Sequence, residues 1–184
     1  MRLEPLSLAH HDRLCAVGLD AELWRWGLST LATPADMRAY IETALSWQAQ
    51  GTAVPFAIVA RATGQVVGST RYANIERAHR RLEIGWTWLA RAAQRTPVNT
   101  EAKYLLLRHA FEVLGCIRVE FKTDVLNERS RAALLRIGAK QEGILRSQMI
   151  AASGRIRDSV YFSIIAGEWP TVKAGLERKL ARPV

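Results

Sequence analysis

Few residues in this chain are equipped to do chemistry, and their spacing narrows what that chemistry is. His10, His11, His79 and His109 follow no metal-ligand spacing. There is no G-x-S-x-G turn and no Walker-type phosphate loop. Cys15 and Cys116 lie far apart in apolar stretches, outside any C-x-x-C pair. They read as buried free thiols in a reducing, cytosolic setting. Carboxylates and hydroxyls on the predicted elements can also accept or donate protons. Glu83 stands in an alternating run over 82–88. Leu82, Ile84, Trp86 and Trp88 share one face, and Glu83, Gly85 and Thr87 share the other. Its carboxylate could accept a proton, or it could form a plain sheet-face ion pair with Arg118 or Lys122. Ser130 follows Asn127 by three residues. Its hydroxyl could serve as a donor, or it could simply occupy the third position of a helix that Asn127 caps. Tyr161 is a further hydroxyl on a strand, and Glu101 reads as an acidic residue in a helix first turn.

The elements that must position these groups fit one domain over residues 1–184. A chain that is 49% hydrophobic and 23% charged can bury a core without metal or disulfide staples. The N-terminus lacks a signal-peptide apolar region, and no run approaches the ~18 apolar residues of a membrane span. A soluble, cytoplasmic protein without membrane contact is expected. The formal charge of +9 points to acidic partners such as a phosphorylated cofactor, RNA, a ribosomal surface or anionic lipid. The densest basic group, Arg77-Ala78-His79-Arg80-Arg81, reads as a solvated hairpin turn or as a binding patch.

Residues 2–7 read as a strand, and 9–20 and 34–50 as helices. Thr33 is a good N-cap for the second helix, with Pro34 at its first position and Asp36 complementing its dipole. Strands follow at 55–61, 65–75 and 82–88. A helix over 100–114 presents Ala102, Leu105, Leu106, His109, Ala110 and Val113 on one face, and Gly115 ends it in a left-handed conformation. Residues 117–124 alternate as a strand, and Asn127 caps a helix to about residue 137. Strands near 140–149 and 156–165 precede a last helix that starts at Glu168-Trp169-Pro170. This is an α/β chain with one central mixed sheet, parallel across the 82–124 crossover and antiparallel at the hairpins.

That order of elements resembles the GNAT superfamily of N-acetyltransferases. The segment from Glu83-Ile84-Gly85-Trp86 through Thr100-Glu101-Ala102 resembles the family's fourth strand, pyrophosphate loop and third helix. Asn127-Glu128-Arg129-Ser130, Gly138-Ala139 and Glu142-Gly143 resemble its Asn-x-x-Ser helix and the strand entry after it. Asp158 with Tyr161-Phe162-Ser163 resembles its final hairpin strand. Within the superfamily the chain is similar to the RimJ/RimL-type ribosomal-protein N-acetyltransferases.

The resemblance implies transfer of an acetyl group from acetyl-CoA to a primary amine, either a protein N-terminus (that of a ribosomal protein among them) or a small molecule, with no metal. It implies Glu83 as general base and Ser130 as hydrogen-bond donor to the leaving thiolate, with Asn127 beside it. A backbone N–H near Trp88 or Leu89 would polarise the thioester. Gln94, Arg95, Thr96, Asn99, Thr100 and Asn127 would line the cofactor. The family's glycine-rich loop reads here Gln94-Arg95-Thr96-Pro97-Val98-Asn99, and proline removes an N–H that could hold phosphate. Two arrangements are open. In one, Asn99 or Thr100 caps the helix and the remaining amides cradle the pyrophosphate with Arg91 and Arg95. In the other, Thr96 caps a helix beginning at Pro97 and the pocket is damaged. Acceptor choice would lie with 20–33 and the turns near 77–81 and 150–155. A homodimer is compatible with the family, although no sequence feature establishes one. The competing reading is a non-catalytic GNAT-like module that binds RNA or a ribosomal component through its basic surface.

Overall fold

The computed structural model describes residues 1–181. Its elements are β1 (Arg2–Pro5), α1 (His11–Gly18), α2 (Pro34–Ala49), β2 (Val54–Val59), β3 (Val66–Glu76), β4 (Arg81–Leu89), α3 (Val98–Arg108), β5 (Arg118–Asp124), α4 (Glu128–Arg136), β6 (Lys140–Ile150), β7 (Ile156–Ile165) and α5 (Trp169–Leu180). The order is the one expected. Thr33 caps α2 as its sequence implies, its Oγ1 accepting from Asp36 N–H at 3.2 Å. The basic group 77–81 forms the tight connection between β3 and β4, with Arg81 tied to Glu76 and Glu120.

One seven-stranded sheet runs β1-β2-β3-β4-β5-β7-β6. Only β4 and β5 are parallel, the pairing that a helical crossover demands. Two apolar layers cover the sheet. Leu82, Ile84, Val119, Phe121 and Phe162 pack toward α3, α4 and α5 through Leu106, Leu107, Leu134 and Leu176. Ala57, Val59, Val66 and Trp88 pack toward α1 and α2 through Leu14, Met37 and Ile41.

Trp88 thus lies on the opposite face from Leu82 and Ile84, against the alternation expected for 82–88. The cause is a β-bulge. Ser69 pairs with Trp88 but Arg71 pairs with Gly85, so Trp86 and Thr87 together oppose Thr70. Trp86 sits at φ +48. The extra residue reverses which face each later side chain takes. Trp86 joins Glu83 on the α2 face, and Thr87 turns to α3.

α3 also departs from expectation. Its buried stripe is Ala102, Lys103, Leu106, Leu107 and Ala110, whereas His109 and Val113 are exposed. A π-turn over His109–Val113 adds a residue to the last turn and rotates that end away from the sheet. Gly115 takes the left-handed conformation expected of it, at φ +64. Ile117 is exposed, and β5 begins one residue later.

Candidate active site

β4 and β5 pair at only three positions, from Arg81 opposite Arg118 to Glu83 opposite Glu120. Beyond Glu83, β4 continues for six residues to Leu89 while β5 runs on to Asp124 beside β7. The bulge falls just past this point of separation, where bulges commonly bend a strand away from its neighbour. Ala90 N–H donates to Val67 O at 2.8 Å. Strand alternation therefore turns the Leu89 N–H toward the edge that β5 has left. Trp88 contributes differently. Its side chain is core, beside Trp24 with ring centroids at 5.5 Å, and alternation sends its N–H toward β3.

Glu83 stands where the strands part. It is 4% exposed, and burial pushes its carboxyl above the ordinary range. Asn74 Nδ2 donates to Oε2 at 2.8 Å, and Lys122 Nζ lies 3.7 Å away. Arg118, the other partner considered, is engaged by Glu120 and Glu142 instead. Gly85 leaves room for the carboxylate: a Cβ there would lie 2.7 Å from Glu83 Oε1. A cleft of about 390 Å3 opens here, lined by Asn74, Glu83, Glu120 and Tyr161 among others. Tyr161 faces it with its hydroxyl accepting from Gln148 Nε2 at 2.8 Å. A larger hollow of about 640 Å3 lies on the outer hairpin of β6 and β7. No fully buried ionisable group lines it, whereas Glu83 lines the smaller cleft.

On the α3 side, Lys103 is 5% exposed and donates to Thr87 Oγ1 at 2.7 Å. Phe121 lies beneath its Nζ at 5.8 Å from the ring centroid. Among the described residues no carboxylate lies within ion-pair distance, and burial pushes the ammonium down to about 7. Sequence reasoning missed this residue. Its signal was a lysine inside the helix stripe 102, 103, 106, 107, 110.

The loop after β4 resolves the two arrangements of its helix start. α3 begins at Val98 with Pro97 in the N-cap position, and Thr96 Oγ1 accepts from Val98 N–H at 3.4 Å. Neither Asn99 nor Thr100 caps the helix; both lie in its first turn. Pro97 sits where its fixed φ suits a helix entry. The N–H groups of Asn99 and Thr100 still lack intrahelical acceptors, as the first turn of any helix requires. This start is nearer the second arrangement, with Thr96 and Pro97 at the helix entry, than the first. Arg95 is exposed at φ +61, whereas Arg91 is occupied by Asp20 at 2.5 Å. Gln94 is a strut: its Nε2 donates to Leu89 O at 3.0 Å, and its Oε1 accepts from Arg129 of α4. Glu101 binds the amino terminus of Met1 at 2.5 Å.

Asn127 Oδ1 accepts from Ser130 N–H at 3.0 Å, closing the start of α4. The Ser130 hydroxyl is half-buried with no partner among the described residues. The Arg129–Gln94 contact ties this helix start to the loop after β4. On the other face, the segment 20–33 meets the β6–β7 turn, where Ala152 N–H donates to Gly27 O at 3.3 Å and Arg155 lies over Trp26.

The strand order, with β4 and β5 pairing only as far as the buried Glu83, agrees with the resemblance carried by the sequence. Residues 1–140 match the model of the acetyltransferase (GNAT) domain family, and the chain belongs to that family. A GCN5-related N-acetyltransferase from Brucella melitensis is 34% identical, with a TM-score of 0.90 over 98% of this chain and 82% of that one. YdaF of Bacillus subtilis (strain 168), described as a candidate ribosomal N-acetyltransferase, is 35% identical over 58% of this chain and 57% of its own length. RimJ of Mycobacterium smegmatis, solved with CoA-disulfide, shares the fold at 24% identity, with a TM-score of 0.84 over 96% of this chain and 88% of that one. Among the described residues no helix is long and apolar enough to cross a membrane.

Proposed function

We propose that this chain, a single domain over 1–184 acting in the cytoplasm, moves an acetyl group from acetyl-CoA to a primary amine by direct attack on the thioester. The observation that carries this reading is the opening of β4 from β5 immediately past Glu83. It leaves a buried carboxylate on one face and unpaired N–H groups with Arg95 on the other. The N–H groups of Asn99 and Thr100, with Arg95, would hold the pyrophosphate. Acetyl-CoA supplies the activated carbonyl. The Leu89 N–H would polarise that carbonyl, as an oxyanion-hole donor does. Glu83 takes the proton from the ammonium form of the acceptor, helped by an environment that raises its basicity. Ser130, with its hydroxyl free, donates to the departing sulfur, and Asn127 fixes its backbone. Lys103 adds a cation on that side.

The acceptor is a protein N-terminal amine, as the ribosomal description of YdaF suggests, or a small amine. The segment 20–33 and the turn of β6 and β7 border its entrance. Titration of the purified protein with acetyl-CoA by calorimetry tests this reading. Saturable micromolar binding is expected, followed by amine-dependent release of CoA. No binding at millimolar ligand would sink it. The +9 charge would then favour a non-catalytic role on RNA or a ribosomal surface, seen as salt-dependent RNA affinity.

A further inference from the structure

Beside the cleft, next to the Ala73–Glu83 pair, lies a second buried charge that acetyl transfer does not use. Arg71, on β3 opposite Gly85, is 1% exposed. Its guanidinium lies over the rings of Tyr40, Trp47 and Trp86, at 4.9, 5.3 and 5.2 Å from their centroids. Nε and Nη2 are buried without any hydrogen-bond partner, and among the described residues Arg71 forms no ion pair. Aromatic faces attract the charge, but they give its in-plane N–H groups no lone pair. A buried charged donor without an acceptor is costly to keep. The arrangement is incomplete as it stands.

We propose that Arg71 anchors a carboxylate carried by the amine acceptor, an inference that rests on the acetyl-transfer reading of this cleft. Three observations support it. Nε and Nη2 form one edge of the guanidinium, the edge that takes both oxygens of a carboxylate side by side. The position is right, because Arg71 pairs with Gly85 and Ala73 with Glu83, so the anchor and the base are neighbours on one face. The cover on one side is a single half-buried ring. Trp86 is half-buried, stands beside Gly85 on the bulge, and holds a positive φ that a bulky residue rarely adopts. Turning its ring opens the N–H edge to the cleft without moving a strand. A phosphate could engage the same edge. The cleft also presents Glu83, while Glu76 and Glu120 are paired with Arg81, and the charge of Glu83 opposes a dianion more than a monoanion.

The experiment follows tryptophan emission from the full chain with CoA bound, since two of the three rings are Trp47 and Trp86. The probes are glutamate and the dipeptide Ala-Asp, their fully amidated forms glutaminamide and Ala-Asn-amide, and phosphoethanolamine, an amine with a phosphate and no carboxylate. A saturable change with the carboxylates, at least about tenfold weaker with the amides, is the expected result. Comparison of glutamate with Ala-Asp tells a free amino acid from a peptide N-terminus. Arg71→Lys, which keeps the charge but loses the fork, lowers carboxylate affinity about tenfold and leaves acetyl-CoA affinity unchanged. Equal responses to carboxylates and amides, no response to any probe, or preference for phosphoethanolamine would each overturn the inference. The wild-type comparison stands even where the variant misfolds. Acetyl-CoA binding with no carboxylate preference removes this inference alone. Loss of acetyl-CoA binding removes the acetyl-transfer reading instead.

Discussion

Two buried carboxylates on the same face of the sheet live in opposite circumstances. Asp124, at the end of β5, accepts from Leu126 N–H at 2.9 Å and from Arg155, and Arg157 Nε lies 3.9 Å away. Glu83, on β4, has Asn74 and a lysine at 3.7 Å, with an open cleft beside it. Asp124 is surrounded by donors and ties the β6–β7 hairpin to the sheet. Glu83 is left short of them, and burial raises its basicity. A full set of partners marks a charge that holds the fold, whereas a partial set marks one available for proton transfer. Lys103 and Arg71, buried without carboxylate partners, share with Glu83 an incomplete set of partners.

Substitutions can break the comparison. Glu83→Gln should lower turnover by about 10^2–10^4-fold with acetyl-CoA binding and thermal stability kept, measured by steady-state kinetics and calorimetry. Unchanged turnover would move the base elsewhere. Asp124→Ala should do the reverse. Leaving Arg157 buried without its partner costs about 3–5 kcal/mol of stability, read from denaturant unfolding. A loss below about 1 kcal/mol, the range of exposed pairs, would mean that the cluster does not secure the hairpin.

Gly85→Ala sharpens the contrast, because its new Cβ would displace the Glu83 carboxylate at 2.7 Å while the backbone accepts alanine. A drop of about 10–100-fold in kcat is expected, with the melting temperature nearly unchanged. Lys103 gives the smallest effect over any one pH unit, and one with a definite sign. The folded lysine titrates near 7, below its ordinary 10.5, so between those values the unfolded chain carries the extra proton. The cost of charging it is full below about pH 7 and fades as pH rises toward 10.5. Stability should therefore climb by up to about 1.4 kcal/mol per pH unit across that window, and Lys103→Met should flatten the climb. An equal slope in both proteins would place the buried charge elsewhere.

Much of this fold could be read from the residues themselves. Alternation, caps and turn glycines located every strand and helix, because those signals act within a few neighbouring residues. Gly115 took its left-handed place, and Asn127 closed α4 as its position implied. The bulge at Trp86 escaped notice because nothing in an alternating run of apolar residues marks an insertion; the slip belongs to the pairing with β3. Its consequence was large, since it put Trp86 and Thr87 on faces opposite to those expected. The start of α3 was misplaced for a related reason. Thr96, Asn99 and Thr100 are all competent caps, and Pro97 decided among them through its fixed φ. Lys103 and Arg71 were overlooked because a cation in a buried stripe is distinguished from a surface one only by its neighbours.

The central claim is that the gap where β4 leaves β5 is the place of acyl transfer, with Glu83 on one side and Ser130 on the other. A crystal structure of the protein with acetyl-CoA tests it most directly. Expected is the pyrophosphate against the N–H groups of Asn99 and Thr100, and the thioester carbonyl within hydrogen-bond distance of the Leu89 N–H. Acetyl-CoA bound on the β6 edge, or with its thioester away from Leu89, would contradict the account.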